Sequence, residues 1–207
     1  ISLCIFFLVA SFHFGYEDLE MFFSQNFILE TPLYFLRGLI IISAPLYLNN
    51  VETVNFIDIL LLGEKWINLE SATYAYIFYF NLVSIFSLTL LFWVKKNIKL
   101  KDFFIISFEV FSIVVIFKYL PLILAFTMYF CFMHSTKHIL SLAVELNGSN
   151  VYAGIKSFAK KAAPLTIITF AMSLIMLFYL SKEFSVDKSI LKIIFIGLAA
   201  LTLPHII

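Results

Sequence analysis

Four histidines lie within or at the end of long apolar stretches: His13, His134, His138 and His205. Two share the run Cys131-Phe132-Met133-His134-Ser135-Thr136-Lys137-His138. A helix turns about 100° per residue, so positions i and i+4 lie on one face, one turn apart. Two imidazoles so placed can hold one metal ion. The alternative is two histidines satisfied separately by backbone carbonyls. A lipid-buried helix favours the metal reading, because ionisable groups inside a bilayer are costly and mark functional sites. His13, in Ser11-Phe12-His13-Phe14-Gly15, is either a further ligand or an ordinary interfacial histidine. His205 follows Pro204, which either kinks the helix and aims the imidazole inward or simply marks a bend.

Other polar groups in apolar surroundings bear on the same chemistry. Glu109 sits in Phe108-Glu109-Val110, where a carboxylate must be protonated, paired or hydrogen-bonded. It either accepts from a ligand imidazole N–H, behind the metal, or pairs with another buried polar group. Arg37 and Lys118 read as snorkelling side chains. Cys131 could donate a soft ligand, but a packed core thiol is the better reading.

The elements that position these residues follow from composition. The chain has 207 residues, 62% apolar and 13% charged, where a soluble domain is about half apolar and a quarter charged. A mean hydropathy of +1.02 places it among integral membrane proteins. A net charge of +1 gives no electrostatic case for nucleic acid. Cys4 and Cys131 both lie in apolar runs, which argues against a disulfide framework. Six Gly and five Pro leave little room for linkers, so residues 1–207 read as a single transmembrane helical domain. Both ends fall inside hydrophobic runs and look cut.

A spanning helix needs about 20 apolar residues. Residues 1–14 read as the tail of one span, 33–48 as a second carrying Arg37, and 72–94 as a third with Tyr74, Tyr76 and Trp93 suited to the interfaces. Residues 51–70, broken by Glu52, Asp58, Glu64 and Lys65, read as interfacial with a short amphipathic helix. Residues 103–142 are too long for one span, and Lys118-Tyr119-Leu120-Pro121 divides them into 103–118 and 121–140. Spans at 162–181 and 189–207 complete an all-α, polytopic membrane helix bundle of about seven visible segments. The basic loops Lys95–Lys101 and Lys156–Lys161 then lie in the cytoplasm, while the acidic segment 17–30, without Lys or Arg, fits that side poorly. The histidines fall near the C-terminal ends of spans one, five and seven, which run the same way. They therefore share a depth, as a common metal site requires. The 26 Phe and 10 Tyr are mostly lipid-facing bulk and interface belts, with a minority able to line a tunnel for a long, flat apolar ligand.

Three segments carry a family resemblance. They are Phe12-His13-Phe14-Gly15 with Asp18, Thr127-Met128-Tyr129-Phe130-Cys131-Phe132-Met133-His134-Ser135 with His138, and Phe195-Ile196-Gly197-Leu198-Ala199-Ala200-Leu201-Thr202-Leu203-Pro204-His205. Together they resemble the Brp/Blh family of membrane β-carotene 15,15′-dioxygenases. Phe108-Glu109, and Tyr119 with Pro121, fit the same pattern, so the resemblance covers nearly the whole chain. It implies oxygen-dependent central cleavage of β-carotene into two molecules of all-trans retinal by non-haem Fe(II). The implied ligands are His13, His134 and His138, with His205 and Glu109 as a further ligand or in support behind one. The family's remaining ligand lies in an N-terminal Pro-His-Gly-x-x-Asp motif that this sequence does not contain.

The resemblance further implies β-carotene and O₂ as substrates, contact with membrane lipid, a functional link to a retinal-binding rhodopsin, and a bacterial or archaeal cell membrane. The chemistry agrees with the residues. Carotene dissolves in the bilayer, neutral imidazoles suit Fe(II) and leave positions open, and the protein orients the central double bond against the metal. Two other classes compete: a non-enzymatic retinal or carotenoid-binding accessory protein for a retinal-dependent pump, and a transporter with a histidine relay.

Overall fold

Lipid offers no hydrogen-bond partners, so apolar runs of this length must satisfy their backbone internally, as helix. The computed structural model describes residues 2–23, 27–60, 69–148, 150–186, 188–194 and 197, and among these there is no strand. The helices are α1 (Ser2–Leu19), α2 (Phe27–Leu48), α3 (Asn50–Leu60), α4 (Ser71–Val94), α5 (Leu100–Tyr119), α6 (Leu122–Met128), α7 (Ser135–Leu146) and α8 (Val151–Leu180). A 3₁₀ turn, Glu20–Phe22, follows α1, and a π-helical segment, Tyr129–His134, joins α6 to α7. The described residues form two compact units, one drawn from 1–58 and 64–134 and the other from 59–63 and 135–207.

In the first unit α2 packs against α1, α4 and α5. Its Leu33, Tyr34, Arg37, Ile40, Ile41 and Ala44 are all buried. The facing helices bury residues at helical spacing: Tyr74, Phe78, Asn81, Ile85 and Thr89 on α4, and Ile106, Val110, Ile113 and Phe117 on α5. Their opposite faces are apolar and exposed, with Tyr76, Phe80, Val83 and Leu91 on α4 and Phe104, Phe108 and Phe111 on α5. Apolar outward faces on both helices suit a lipid environment. Within it, small residues let helices approach closely. At the α1–α2 crossing a Cβ on Gly15 would meet the Tyr34 carbonyl, and one on Gly38 the Ser11 carbonyl. Gly38→Ala is therefore expected to destabilise the protein by about 1–3 kcal/mol, the usual cost of overpacking, read as a lowered melting temperature in detergent.

Among the described residues three helical segments, Leu29–Leu48, Ser71–Val94 and Val151–Leu180, are long and apolar enough to cross a membrane. Other segments expected to span depart from that pattern for visible reasons. Lys101, Asp102, Glu109 and Lys118 are distributed along α5. In 121–140 the helical hydrogen-bond pattern changes from α to π over Tyr129–His134 and back to α at Ser135. The division at Pro121 is as expected: α5 stops at Tyr119 and α6 starts at Leu122. The Leu122 N–H, one of the first-turn donors with no partner inside the helix, donates to Glu52 Oε2 at 3.1 Å, and Asn49 Nδ2 donates to the Phe117 carbonyl at 2.6 Å. The start of α3 thus braces the break between α5 and α6.

Two sequence expectations are corrected. Residues 156–161 are helix rather than loop, because the Asn150 side chain caps α8 by accepting from the Ala153 N–H at 3.1 Å. The loop between α4 and α5 is real: Asn97 N–H reaches the Phe92 carbonyl and Lys96 N–H the Trp93 carbonyl, each at 2.9 Å, with Lys96 at φ 60°. Cys131 is exposed rather than packed in the core. In the second unit α7 and α8 pack closely, with Gly154 against the Ala143 backbone.

Candidate metal centre

The π-helical segment shapes the site. In an α-helix residues five apart point to different sides, whereas in a π turn the hydrogen bond runs from i to i+5 and those residues fall on one side. Tyr129 and His134 are five apart, and their rings lie 5.9 Å apart with planes 30° from parallel. Both turn toward α1. His134 Nδ1 lies 3.3 Å from Asp18 Oδ1, and the Tyr129 hydroxyl donates to Asp18 Oδ2 at 3.0 Å. The His13 ring stands 6.0 Å from that of His134, at 69° to it. Phe14 and Phe130 complete an aromatic surround, with centroids 5.2 Å and 6.0 Å from His134.

A charged group anchors this cluster. Arg37 Nη2 lies 3.0 Å from Asp18 Oδ2 and 3.4 Å from Glu109 Oε2. Arg37 is 0% exposed and Asp18 1%, so the expectation that Arg37 snorkels is overturned. Its place in the middle of α2, facing α1 and α5, gives the guanidinium two carboxylates within reach in place of a path to the interface. Glu109 is paired with that guanidinium, and the carboxylate that meets His134 is Asp18. Lys118, at the end of α5, is exposed and stacks over Tyr119 at 5.6 Å.

His13 and His134 are thus brought together by α1 and the π-helical segment. His138 lies in the first turn of α7, in the second unit, and His205 lies outside the described residues. Among the described residues no three His, Cys, Asp or Glu gather to hold a metal ion. The two imidazoles fit a histidine-ligated iron as part of its donor set: nitrogen donors suit that metal, and a carboxylate on the far ring nitrogen is the usual support of a ligand histidine. Sequence reading missed Asp18, Arg37 and Tyr129 as one network. The signal was present in Arg37, since a cation in the middle of an apolar helix requires an anion nearby.

The sequence model of the β-carotene 15,15′-dioxygenase family matches residues 1–207. A β-carotene 15,15′-dioxygenase from uncultured marine bacterium 66A03 is 30% identical over 102 residues, which cover 49% of this chain and 36% of that protein. The match therefore spans about a third of the length of that relative. No solved structure matches the chain. With every residue from 1 to 207 matched, the chain belongs to the β-carotene 15,15′-dioxygenase family.

Proposed function

We propose that this chain belongs to a membrane-embedded enzyme that cleaves β-carotene centrally to two molecules of all-trans retinal with O₂, using Fe(II) held by His13, His134 and His138. The observation that carries the reading is the His13–His134 pair, with a buried carboxylate on His134 Nδ1, in a chain matched along its whole length by this family. When bound, the iron supplies the activation of dioxygen. The residues around it do the rest. Asp18 holds the His134 ring, and Phe14, Tyr129 and Phe130 wall it with aromatic faces that exclude water. The exposed apolar faces of α4 and α5 fit a protein that meets its substrate within the bilayer. About seven spans in a bacterial or archaeal membrane, His205 as a residue behind the ligand set, and delivery of retinal to a rhodopsin complete the reading.

Membranes holding the full-length protein, supplied with β-carotene and air, are expected to yield retinal by chromatography, and the yield should fall on iron chelation and return on adding Fe(II). Carotenoid or retinal recovered bound but uncleaved would instead support a non-enzymatic accessory protein for a retinal-dependent pump.

A further inference from the structure

His134 meets Asp18 through Nδ1, at 3.3 Å. Asp18 Oδ2 takes two donors, Arg37 Nη2 and the Tyr129 hydroxyl, each at 3.0 Å. A carboxylate paired with a guanidinium only accepts hydrogen bonds, so the proton between Asp18 and His134 belongs on Nδ1, and the imidazole presents its Nε2 lone pair. The ring is also fixed in orientation, because Asp18 is itself held from two other directions and is 1% exposed. Arg37 in turn spans from α2 to Glu109 on α5 at 3.4 Å. Side chains from α2 and the π-helical segment thus converge on the Asp18 carboxylate of α1, with one oxygen facing His134.

We propose that Asp18 is a positioning residue for His134: it fixes the Nδ1–H tautomer and the ring orientation, with Arg37 holding Asp18 in place. The inference rests on the metal site proposed above and adds to it a residue that does not touch the metal. The two donors on Asp18 Oδ2, Arg37 and Tyr129, make a sharp test. In Asp18→Asn the amide oxygen goes to the position that receives two donors, Arg37 and Tyr129. The amide NH₂ then faces His134 Nδ1, which must become an acceptor, and the proton moves to Nε2.

The experiment uses the full-length apo-protein with ¹⁵N-labelled histidine in nanodiscs, the His134 signals assigned by their loss in His134→Ala. Wild type is expected to show His134 protonated on Nδ1, and Asp18→Asn to show it on Nε2. In parallel, Co(II) titration followed by its visible absorption is expected to show binding about 10–100-fold weaker in Asp18→Asn, the usual cost of losing an outer partner. Asp18→Glu, which restores an acceptor, should recover the Nδ1–H tautomer and part of the affinity. His134 protonated on Nε2 alone in wild type would overturn the proposal without recourse to any variant. So would an Asp18→Asn protein that keeps both the Nδ1 proton and wild-type Co(II) affinity. A wild type that holds the Nδ1–H tautomer yet binds no Co(II) would leave Asp18 in its positioning role and remove the metal site itself.

Discussion

His134→Ala is expected to abolish retinal formation in membranes supplied with β-carotene, and to lower bound iron by more than the roughly 10–100-fold that loss of an outer partner costs. On the proposed reading the imidazole is a direct donor and nothing adjacent replaces it. Phe14, Tyr129 and Phe130, which surround it, have no nitrogen to offer. The fold should survive. Losing a neutral ring makes the segment no more polar, so insertion is unaffected, and Asp18 keeps both Arg37 and Tyr129 as donors. His138→Ala should behave alike. Iron content and retinal yield measured on the same full-length preparations decide the matter: unchanged iron with full activity in both variants would reject the ligand role.

The reach of the sequence can be traced residue by residue. Hydropathy alone located α2 and α4, because a bilayer forces apolar runs into helix and their lengths are set by its thickness. Pro121 located the break after α5, since a missing N–H and the restriction on the preceding residue are local effects. The π turn ending at His134 aligns that residue with Tyr129, and no local residue preference announces such a turn. Residues 156–161 looked like a loop because three lysines interrupt the apolar pattern, yet Asn150 caps a helix that runs through them. Asp18 was legible only as part of a motif beside His13. Its function depends on Arg37, nineteen positions on along a different helix, and pairing across helices leaves no periodicity to read. A mid-helix arginine signals only that some anion must be near.

Arg37→Met is expected to cost about 3–5 kcal/mol of stability, because removing one partner of a buried ion pair leaves its charge uncompensated. Arg37 is wholly buried, and Asp18 and Glu109 both lie within 3.4 Å of its Nη2. Its Nε and Nη1 meet no acceptor among the described residues, so the guanidinium carries a desolvation penalty that its contacts offset only in part. A side chain selected for packing alone would not be arginine here, and methionine fills much of the same length without charge. The double variant Arg37→Met with Asp18→Asn should therefore recover a large share of the loss, since it removes both the cation and the carboxylate closest to it. That non-additivity separates an ion pair from simple packing, because contacting charged residues couple whereas independent cavities add. Equilibrium unfolding in mixed micelles of wild type, the two single variants and the double closes the cycle. A double variant as unstable as the sum of the singles would show that Arg37 and Asp18 do not depend on each other.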